Sequence, residues 1–342
     1  LLLGMMIVVG HLRLSGFFRL GARWALERAH SQPVFLVAVA LTSGLLSAFL
    51  VNDAVCLVLA PLVIETTRAL KRDPVPYLLT VAMAANVGSA ATITGNPQNM
   101  IIGAFSRIPY VEFARALGPT AALGVALVVI LVAAFSPREF FPVVRLGAAS
   151  AKARVNRPQM FKAIAVTVLV VVLFFAGAPV GEAAILGGAL LLVTRSIKAD
   201  KVYREIDGSL LLLFAGLFVV VAGAEKVLLT GDVLDLARGA HLDNVWTLTA
   251  VTAALSNVIS NVPAVLAIRP FVQNVGDPHR IWLVIAMSST FAGNLTLVGS
   301  VANLIVAEKA RQAGIEISFW RYARVGVPLT LLTLALGAWR LS

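Results

Sequence analysis

Cysteine and histidine are both scarce in this sequence of 342 residues, which contains one Cys and four His. A single thiol, Cys56, cannot form an internal disulfide framework or a multi-cysteine metal site. The histidines are scattered without the spacing of metal ligands, and the HExxH, GxSxG and P-loop patterns are absent. These absences argue against an enzyme and against a resident cofactor or metal centre.

Charge is scarce as well, at 13% of residues, against 59% hydrophobic residues and a mean hydropathy of +0.90. Soluble domains carry roughly 25% charged residues. Several charge-free runs approach or exceed the ~20 residues that a helix needs to cross ~30 Å of hydrocarbon. The composition therefore predicts an all-α polytopic membrane protein, with charge-free runs that include residues 116–135, 164–181, 208–224, 281–307 and 325–339.

Acidic residues are the rarer charge, since 17 Asp and Glu face 28 Lys and Arg, for a net charge of +11. Most basic residues fall in clusters between the apolar runs, and a simple alternation of spans places every cluster on one side. Cytoplasmic loops are the ones enriched in Lys and Arg. The basicity thus predicts a multi-pass topology in the plasma (inner) membrane and not a nucleic-acid partner. The clusters lie at residues 19–28, 68–72, 138–162, 195–204 and 309–324.

Three segments recur in the same order along the chain. Residues 50–63 align without gaps on 259–272, residues 83–101 align on 287–305, and the opening 1–10 resembles 214–223. Transporters are often built from two halves of opposite orientation. The recurrence therefore predicts a first inverted repeat at residues 1–136, a cytoplasmic linker at 137–160 and a second inverted repeat at 161–342.

The second repeat has two apolar spans, within residues 161–194, before its copy of the opening segment. The first repeat has no such spans before its opening segment. The chain starts inside an apolar run, does not begin with Met and has no cleavable signal peptide. We therefore expect about two N-terminal spans to precede this sequence.

Each repeat is predicted to contain a re-entrant hairpin with a polar tip, at Asn52–Asp53 and at Ser260–Asn261. The apolar arm at residues 54–64 has 11 residues, about 16 Å of helix, or half the hydrocarbon core. Non-helical backbone at that depth must be buried in protein or line a wet cavity. The alternative is that the two hairpins are four complete spans with polar kinks.

Each repeat is also predicted to contain a broken transmembrane helix. The run at 75–103 has 29 residues, about 43 Å, and we place its unwound centre at 95–99, where Pro97 cannot donate a backbone hydrogen bond. A free half-helix N-terminus suits an anion, and freed carbonyls suit a cation. The second copy, 299–303, lacks the proline. The predicted substrate and ion site comprises Asn52, Asp53, Thr92, Gly95, Asn96, Gln98, Asn99, Ser260, Asn261, Thr296, Gly299, Ser300 and Asn303.

These hairpins and broken helices resemble the ion transporter superfamily, which includes arsenite permeases, citrate and divalent-anion sodium symporters, and some sodium/proton antiporters. The Asn-Asp tip is more similar to the arsenite-permease branch. In the divalent-anion symporters each hairpin tip reads Ser-Asn-Thr and each broken helix has a Pro-Pro-Asn type motif. This sequence shares only the Asn of each motif and one Ser, Ser260, with that pattern. The resemblance implies a homodimer and an elevator-like movement of the hairpin domain against a scaffold.

The expected function is secondary active transport of a small anion, coupled to H⁺ or Na⁺ by symport or antiport, with any Na⁺ held by the same site residues. Inorganic oxyanions, arsenite and carboxylates are all compatible with amide and hydroxyl ligands. The alternative is a Na⁺/H⁺ antiporter in which Asp53, a costly carboxylate at membrane depth, exchanges the ions. Asn86 and Asn257 are equally compatible with a ligand role and with interhelical hydrogen bonding.

Overall fold

The computed structural model describes residues 1–21, 30–141, 143, 156–194, 197–228, 241–274 and 277–342. Across these ranges the regular structure is helical, without a strand of sheet, which confirms the all-α prediction. The helices are α1 Leu2–Ser15, α2 Gln32–Phe49, α3 Asn52–Ala69, α4 Pro74–Ser89, α5 Pro97–Ser106, α6 Tyr110–Phe135, α7 Pro137–Phe140, α8 Arg157–Phe175, α9 Val180–Val193, α10 Ala199–Tyr203, α11 Gly208–Leu228, α12 Val245–Ile259, α13 Asn261–Ile268, α14 Pro278–Ala292, α15 Val301–Gln312 and α16 Phe319–Leu341.

Four helices of the described ranges are long and apolar enough to cross a membrane, namely α2, α6, α8 and α16. Several shorter apolar helices accompany them, including α1, α9 and α12. Their lengths and composition agree with a polytopic membrane protein. Most of the linker predicted at 137–160 and of the basic cluster at 19–28 lies outside the described residues.

The helices pack into two groups. The small bundle consists of α1, α8, α9 and α10, and the large bundle consists of α2 to α6 together with α12 to α16. Within the large bundle α2 packs most extensively on α4, and a Cβ atom on Gly88 of α4 would collide with the backbone of Gly44 on α2. Small residues permit such close approach of helices in membranes. The bundles meet mainly where α6 touches α8, while α11 contacts α13.

The run at 75–103 forms two helices separated by residues 90–96, which we call the first break. The predicted centre at 95–99 is wrong, because Pro97 begins α5 and residues 97–99 form its first turn. Proline suits the first helical position, where no N–H donor is needed. The Asn96 side chain accepts from the Asn99 backbone N–H at 2.8 Å, which caps the helix.

The run at 281–307 likewise forms α14 and α15, separated by the second break at residues 293–300. Here Ser300 is the cap, accepting from the Ala302 backbone N–H at 3.2 Å. The predicted centre at 299–303 therefore also lies too far along the chain. In both runs the polar residue before the helix is the N-cap, and the asparagine three residues later belongs to the first turn.

The first hairpin differs from its predicted dimensions. Helix α3 runs for 18 residues, through Pro61 and the exposed Glu65, so it is about 27 Å long instead of 16 Å. The second hairpin keeps a short arm, since α13 has 8 residues and is followed by a 3₁₀ segment, Arg269–Asn274. Helix α16 begins at Phe319, six residues before the predicted 325, because Ser318 caps it.

Candidate functional site

Asn86 on α4 connects both repeats at the centre of the large bundle. Its Nδ2 donates to Asn294 Oδ1 and to Asn303 Oδ1, both at 2.9 Å. Its Oδ1 accepts from Asn52 Nδ2 and from Ser300 Oγ, both at 3.0 Å. A carboxamide has two donor hydrogens and two acceptor lone pairs, so this one is fully used by protein. Asn86 is therefore an interhelical hydrogen-bonding residue in this arrangement and has no capacity left for a ligand.

Thr290 on α14 makes the corresponding contacts to the first break. Its hydroxyl lies 3.4 Å from Asn99 Oδ1, 3.2 Å from Asn96 Nδ2 and 3.3 Å from Gln98 Nε2. All four side chains are buried. Each helix that precedes a break thus contacts the first turn of the helix that follows the other break.

These crossed contacts join positions that the sequence alignment pairs. The alignment of 83–101 on 287–305 pairs Asn86 with Thr290, Asn96 with Ser300, and Asn99 with Asn303. Asn86 contacts Ser300 and Asn303, while Thr290 contacts Asn96 and Asn99. The two sets of contacts are therefore the same set with the repeats exchanged.

Asn99 stabilises the first break from within. Its Nδ2 donates to the carbonyl oxygens of Ser89 at 3.2 Å and Thr92 at 2.9 Å. The carbonyl of Ser89 ends α4 and would otherwise lack a helical partner. The Thr92 hydroxyl donates to the Ala48 carbonyl on the hairpin. A Cβ atom on Gly95 would collide with the Ser89 backbone, so this close turn requires glycine.

Asn303 stabilises the second break in the same way. Its Nδ2 donates to the carbonyl oxygens of Gly293 at 2.8 Å and Thr296 at 3.1 Å. These carbonyls belong to the positions aligned with Ser89 and Thr92. Thr296 therefore contributes its backbone here, and the side chain of the predicted ligand Asn303 is occupied by the second break and by Asn86 of α4.

The tip of the first hairpin touches the first break. Residues Leu50 and Val51 separate α2 from α3, and the Asn52 backbone N–H donates to the Gly95 carbonyl at 3.0 Å. The Asn52 Oδ1 atom is buried and has no hydrogen-bond partner among the described residues. Nearly all buried polar atoms are paired in folded proteins. An unpaired carboxamide oxygen at a predicted site is thus available to a ligand.

The second hairpin lies against the end of α14 and the second break, where a Cβ atom on Gly299 would come within 3.0 Å of Asn257 Oδ1. Asn257 Nδ2 donates to the Ala292 carbonyl at 3.0 Å, and its Oδ1 is buried and unpaired within the described part of the chain. Ser256 Oγ lies 2.5 Å from Asn261 Oδ1. Ser260 has φ +76° and ψ 159°, a conformation that is costly for any residue with a Cβ and is found at functional sites.

Asp53 is the acidic member of the predicted site. Its side chain makes no hydrogen bond or ion pair with the part of the chain that the structure describes. It lies on the first turn of α3, where the helix N-terminus favours a negative charge. Asp53 therefore takes no part in the hydrogen bonds around Asn86, although it neighbours Asn52 in sequence.

Sequence reasoning brought most of the correct positions together and omitted some. Asn86 and Thr290 connect Asn52, Asn96, Gln98, Asn99, Ser300 and Asn303. At the second tip Ser260 is exposed, and Asn261 accepts from Ser256. Thr290 and Asn294 were missed, although both are polar residues inside a charge-free run, which is a usable signal. Ser256 was missed as well.

The chemistry of these atoms is that of neutral donors and acceptors. We call the region where Asn86 and Thr290 contact the first turns of α15 and α5 the crossing of the two breaks. It contains carboxamides, hydroxyls and backbone carbonyls, together with the N-termini of α5 and α15. Helix N-termini carry partial positive charge and attract anions. Among the described residues there is no group of three or more His, Cys, Asp or Glu side chains that could hold a metal ion.

Known proteins resemble this chain along nearly its whole length. The family model for the citrate transporter, CitMHS, matches residues 1–280. A transporter of Mycobacterium bovis is 33% identical over 366 residues, covering 99% of this chain and 83% of that protein. The silicon efflux transporter LSI3 of Oryza sativa subsp. japonica is 29% identical, covering 98% and 84%.

The fold also resembles a solved structure. The crystal structure of the YdaH transporter of Alcanivorax borkumensis matches with a TM-score of 0.60 at 14% sequence identity, covering 98% of this chain and 82% of that one. At this identity the likeness concerns the fold alone. It extends across both bundles, since almost the entire chain is aligned.

Proposed function

From the premise that the chain belongs to the citrate transporter family, and is a membrane transporter and not an enzyme, we propose that it moves a small anion by secondary active transport. The coupling ion is H⁺ or Na⁺, and the protein resides in the plasma membrane as a multi-pass chain. The observation that carries this proposal is the meeting of two helix breaks with two unpaired asparagine oxygens, Asn52 Oδ1 and Asn257 Oδ1.

We propose that the halves are inverted repeats and that the hairpins are re-entrant. The exchange of identical contacts between aligned positions supports a two-fold relation between the breaks. The contacts of the two tips with the two breaks support hairpins that end inside the bundle. Chains at such a depth line a site or a cavity, which is the role assigned to Asn52 and Ser260.

The division into two bundles supports an elevator-like movement. The large bundle contains both breaks and both tips, and it meets the small bundle through few helices. We propose that the large bundle carries the substrate past the small bundle, which serves as the scaffold of a homodimer. Such movement would place the same site on either side of the membrane.

The substrate we favour is a small oxyacid such as arsenite or silicate, ahead of a di- or tricarboxylate. No Lys or Arg side chain takes part in the described contacts at the crossing, so charge compensation is left to the ends of α5 and α15. Multiply charged carboxylates are usually held by guanidinium groups or bound cations. The relative named as a silicon efflux transporter is consistent with this substrate class.

Asp53 supports the alternative of a Na⁺/H⁺ antiporter. A carboxylate without a hydrogen bond or ion pair in the described residues can exchange a proton for a cation. In the anion transporter, the same group would carry the coupling ion. The two proposals therefore share Asp53 and differ in whether an anion is needed for ion movement.

Reconstituted protein tests both proposals. We would record uptake and current in proteoliposomes with arsenite, silicate, phosphate, sulfate, succinate and citrate, with Na⁺ and then K⁺, at two pH values. Concentrative uptake of one anion that depends on Na⁺ or on pH is the expected result. Na⁺-driven proton movement without any anion would favour the antiporter. If no solute can be accumulated against its own concentration gradient, whichever ion gradient is applied, both proposals are contradicted.

A further inference from the structure

A cavity lies at the basic end of the large bundle, away from the helix breaks. It has a volume of about 640 Å³ and is formed by the N-terminus of α4, the end of α6 with α7, and the N-terminus of α16. Asp73 at its edge precedes Asn86 by 13 positions, or about 20 Å of helix. This cavity is therefore distinct from the crossing of the two breaks.

Three arginines of the described ranges line the cavity, and two of them have no partner within those ranges. Arg321 forms an ion pair with Asp73. Arg138 and Arg324 are exposed and make no hydrogen bond or ion pair with the described ranges of the chain. Their guanidinium groups present donors in a planar fork, which matches the geometry of a phosphate oxygen pair.

The acidic residues of the cavity do not neutralise these two arginines. Asp73 is engaged by Arg321 and also accepts from the Val75 backbone N–H at 3.0 Å. Glu139 is buried and accepts from the Tyr77 hydroxyl at 3.0 Å. The cavity therefore retains unpaired positive charge.

Large apolar side chains lie beside this charge. Trp320 is 78% exposed and Phe135 is 43% exposed, and both line the cavity. Tryptophan is enriched where helices cross the boundary between lipid and water, and Phe135 ends one of the four helices long enough to span a membrane. The cavity thus combines exposed positive charge with an apolar edge at the end of a helix long enough to span a membrane.

We propose that this cavity binds a phosphate ester, and specifically the headgroup of an anionic phospholipid. Arg138 and Arg324 hold the phosphate oxygens, while Trp320 and Phe135 contact the glycerol and the start of the acyl chains. The volume lies within the roughly 300–1,000 Å³ typical of small-ligand sites. Basic pockets between helices on the cytoplasmic side are suited to anionic headgroups, because that leaflet is negatively charged.

The binding itself does not depend on what the protein transports. Its cytoplasmic position follows from the topology proposed above, but the experiment measures binding in detergent, where both ends are accessible. Failure of this proposal would leave the transport proposal untouched. The reverse also holds.

Native mass spectrometry of the purified full chain tests the proposal. Phosphatidylglycerol and phosphatidylcholine would be titrated separately, with inorganic phosphate and glycerol phosphate as soluble arms. The variants are Arg138→Gln with Arg324→Gln, and a matched control, Arg157→Gln with Lys162→Gln, which removes equal charge from the start of α8 outside the cavity.

We expect phosphatidylglycerol to bind the wild type and the control at least tenfold more tightly than the Arg138/Arg324 variant, and phosphatidylcholine to bind weakly to all three. If the double variant does not fold, Arg324→Lys is used, which keeps the charge but loses the fork, and we expect intermediate affinity. Equal binding of both lipids, or equal binding by all variants, would overturn the proposal. If glycerol phosphate binds and phosphatidylglycerol does not, the lipid is not the ligand of this cavity.

Discussion

The two helix breaks share one internal hydrogen-bond scheme but differ in how they are covered. Nearly every residue from 90 to 100 is buried, and Thr94 is bonded to Tyr110 of α6 at 2.9 Å. The second break is open at one side, where Val298, aligned with Thr94, is 67% exposed. Asn99 and Asn303 each bond two carbonyls of their own break, and we call each of them an asparagine clamp. The clamp therefore determines the shape of a break, and the neighbouring helices determine how far the break is exposed.

The largest expected effect comes from removing the clamp itself. Asn99→Ala removes the shorter hydrogen bonds to the Ser89 and Thr92 carbonyls and leaves each with one bond of 3.4 Å, from Asn96 Nδ2 and from the Gly95 N–H. The loss should cost about 1–3 kcal/mol in total. We expect at least a tenfold loss of initial uptake in proteoliposomes. Asn303→Ala should lose less, because water can reach the more open second break. Leu304→Ala, at the next and exposed position, serves as control, and wild-type flux in Asn99→Ala would contradict the clamp.

A second comparison concerns the two residues that join the breaks. Asn86→Ala removes four hydrogen bonds and Thr290→Val removes contacts of one hydroxyl. We expect losses of about 2–4 kcal/mol and about 1 kcal/mol respectively in the free energy of unfolding. Thermal unfolding in detergent measures both. Equal losses would show that the repeats do not depend on Asn86 more than on its counterpart.

Asp53 distinguishes the first hairpin from the second, whose aligned position is Val262. Asp53→Asn keeps the size of the side chain and removes its titration. If Asp53 carries the coupling proton, uptake in this variant should lose its dependence on pH across the range in which the wild type varies. The test is a pH series of initial rates, with Glu65→Gln on the exposed side of the same helix as control. An unchanged pH profile would assign Asp53 a structural role.

The smallest effect is expected from accessibility alone. Val298→Cys should react with a membrane-impermeant maleimide several-fold faster than Thr94→Cys, because only position 298 is exposed. Labelling rates in proteoliposomes measure this, and the buried native Cys56 can be replaced by serine beforehand. Equal rates at 94 and 298 would mean that the two breaks are equally covered in the membrane.

Much of this site could be predicted from the sequence, because its asparagines recur at aligned positions. Asn99 and Asn303 were found through the repeat, and the two interrupted runs were found through their length. The breaks were placed too late because residues 97–99 and 301–303 were treated as unwound, although Asn96 and Ser300 directly before them are good N-caps. Attention to capping would have corrected both positions.

Other features could not be predicted from the sequence. The bond from Asn86 to Asn303 joins residues 217 positions apart, and no local pattern encodes it. The length of α3 was underestimated because Glu65 was treated as the end of the arm. In the structure Glu65 points away from the core, so the helix continues past it to Ala69.

The contact between Gly44 and Gly88 has a mechanical consequence for the first hairpin. Because the backbones of α2 and α4 are in contact there, we infer that the first hairpin does not move away from the bundle while α4 stays in place. A displacement of Asn52 would therefore also displace α4 and Asn86, to which Asn52 is hydrogen-bonded. We infer that gating at this tip is coupled to the whole large bundle, and spin labels on α2 and α4 should keep a constant separation throughout the transport cycle.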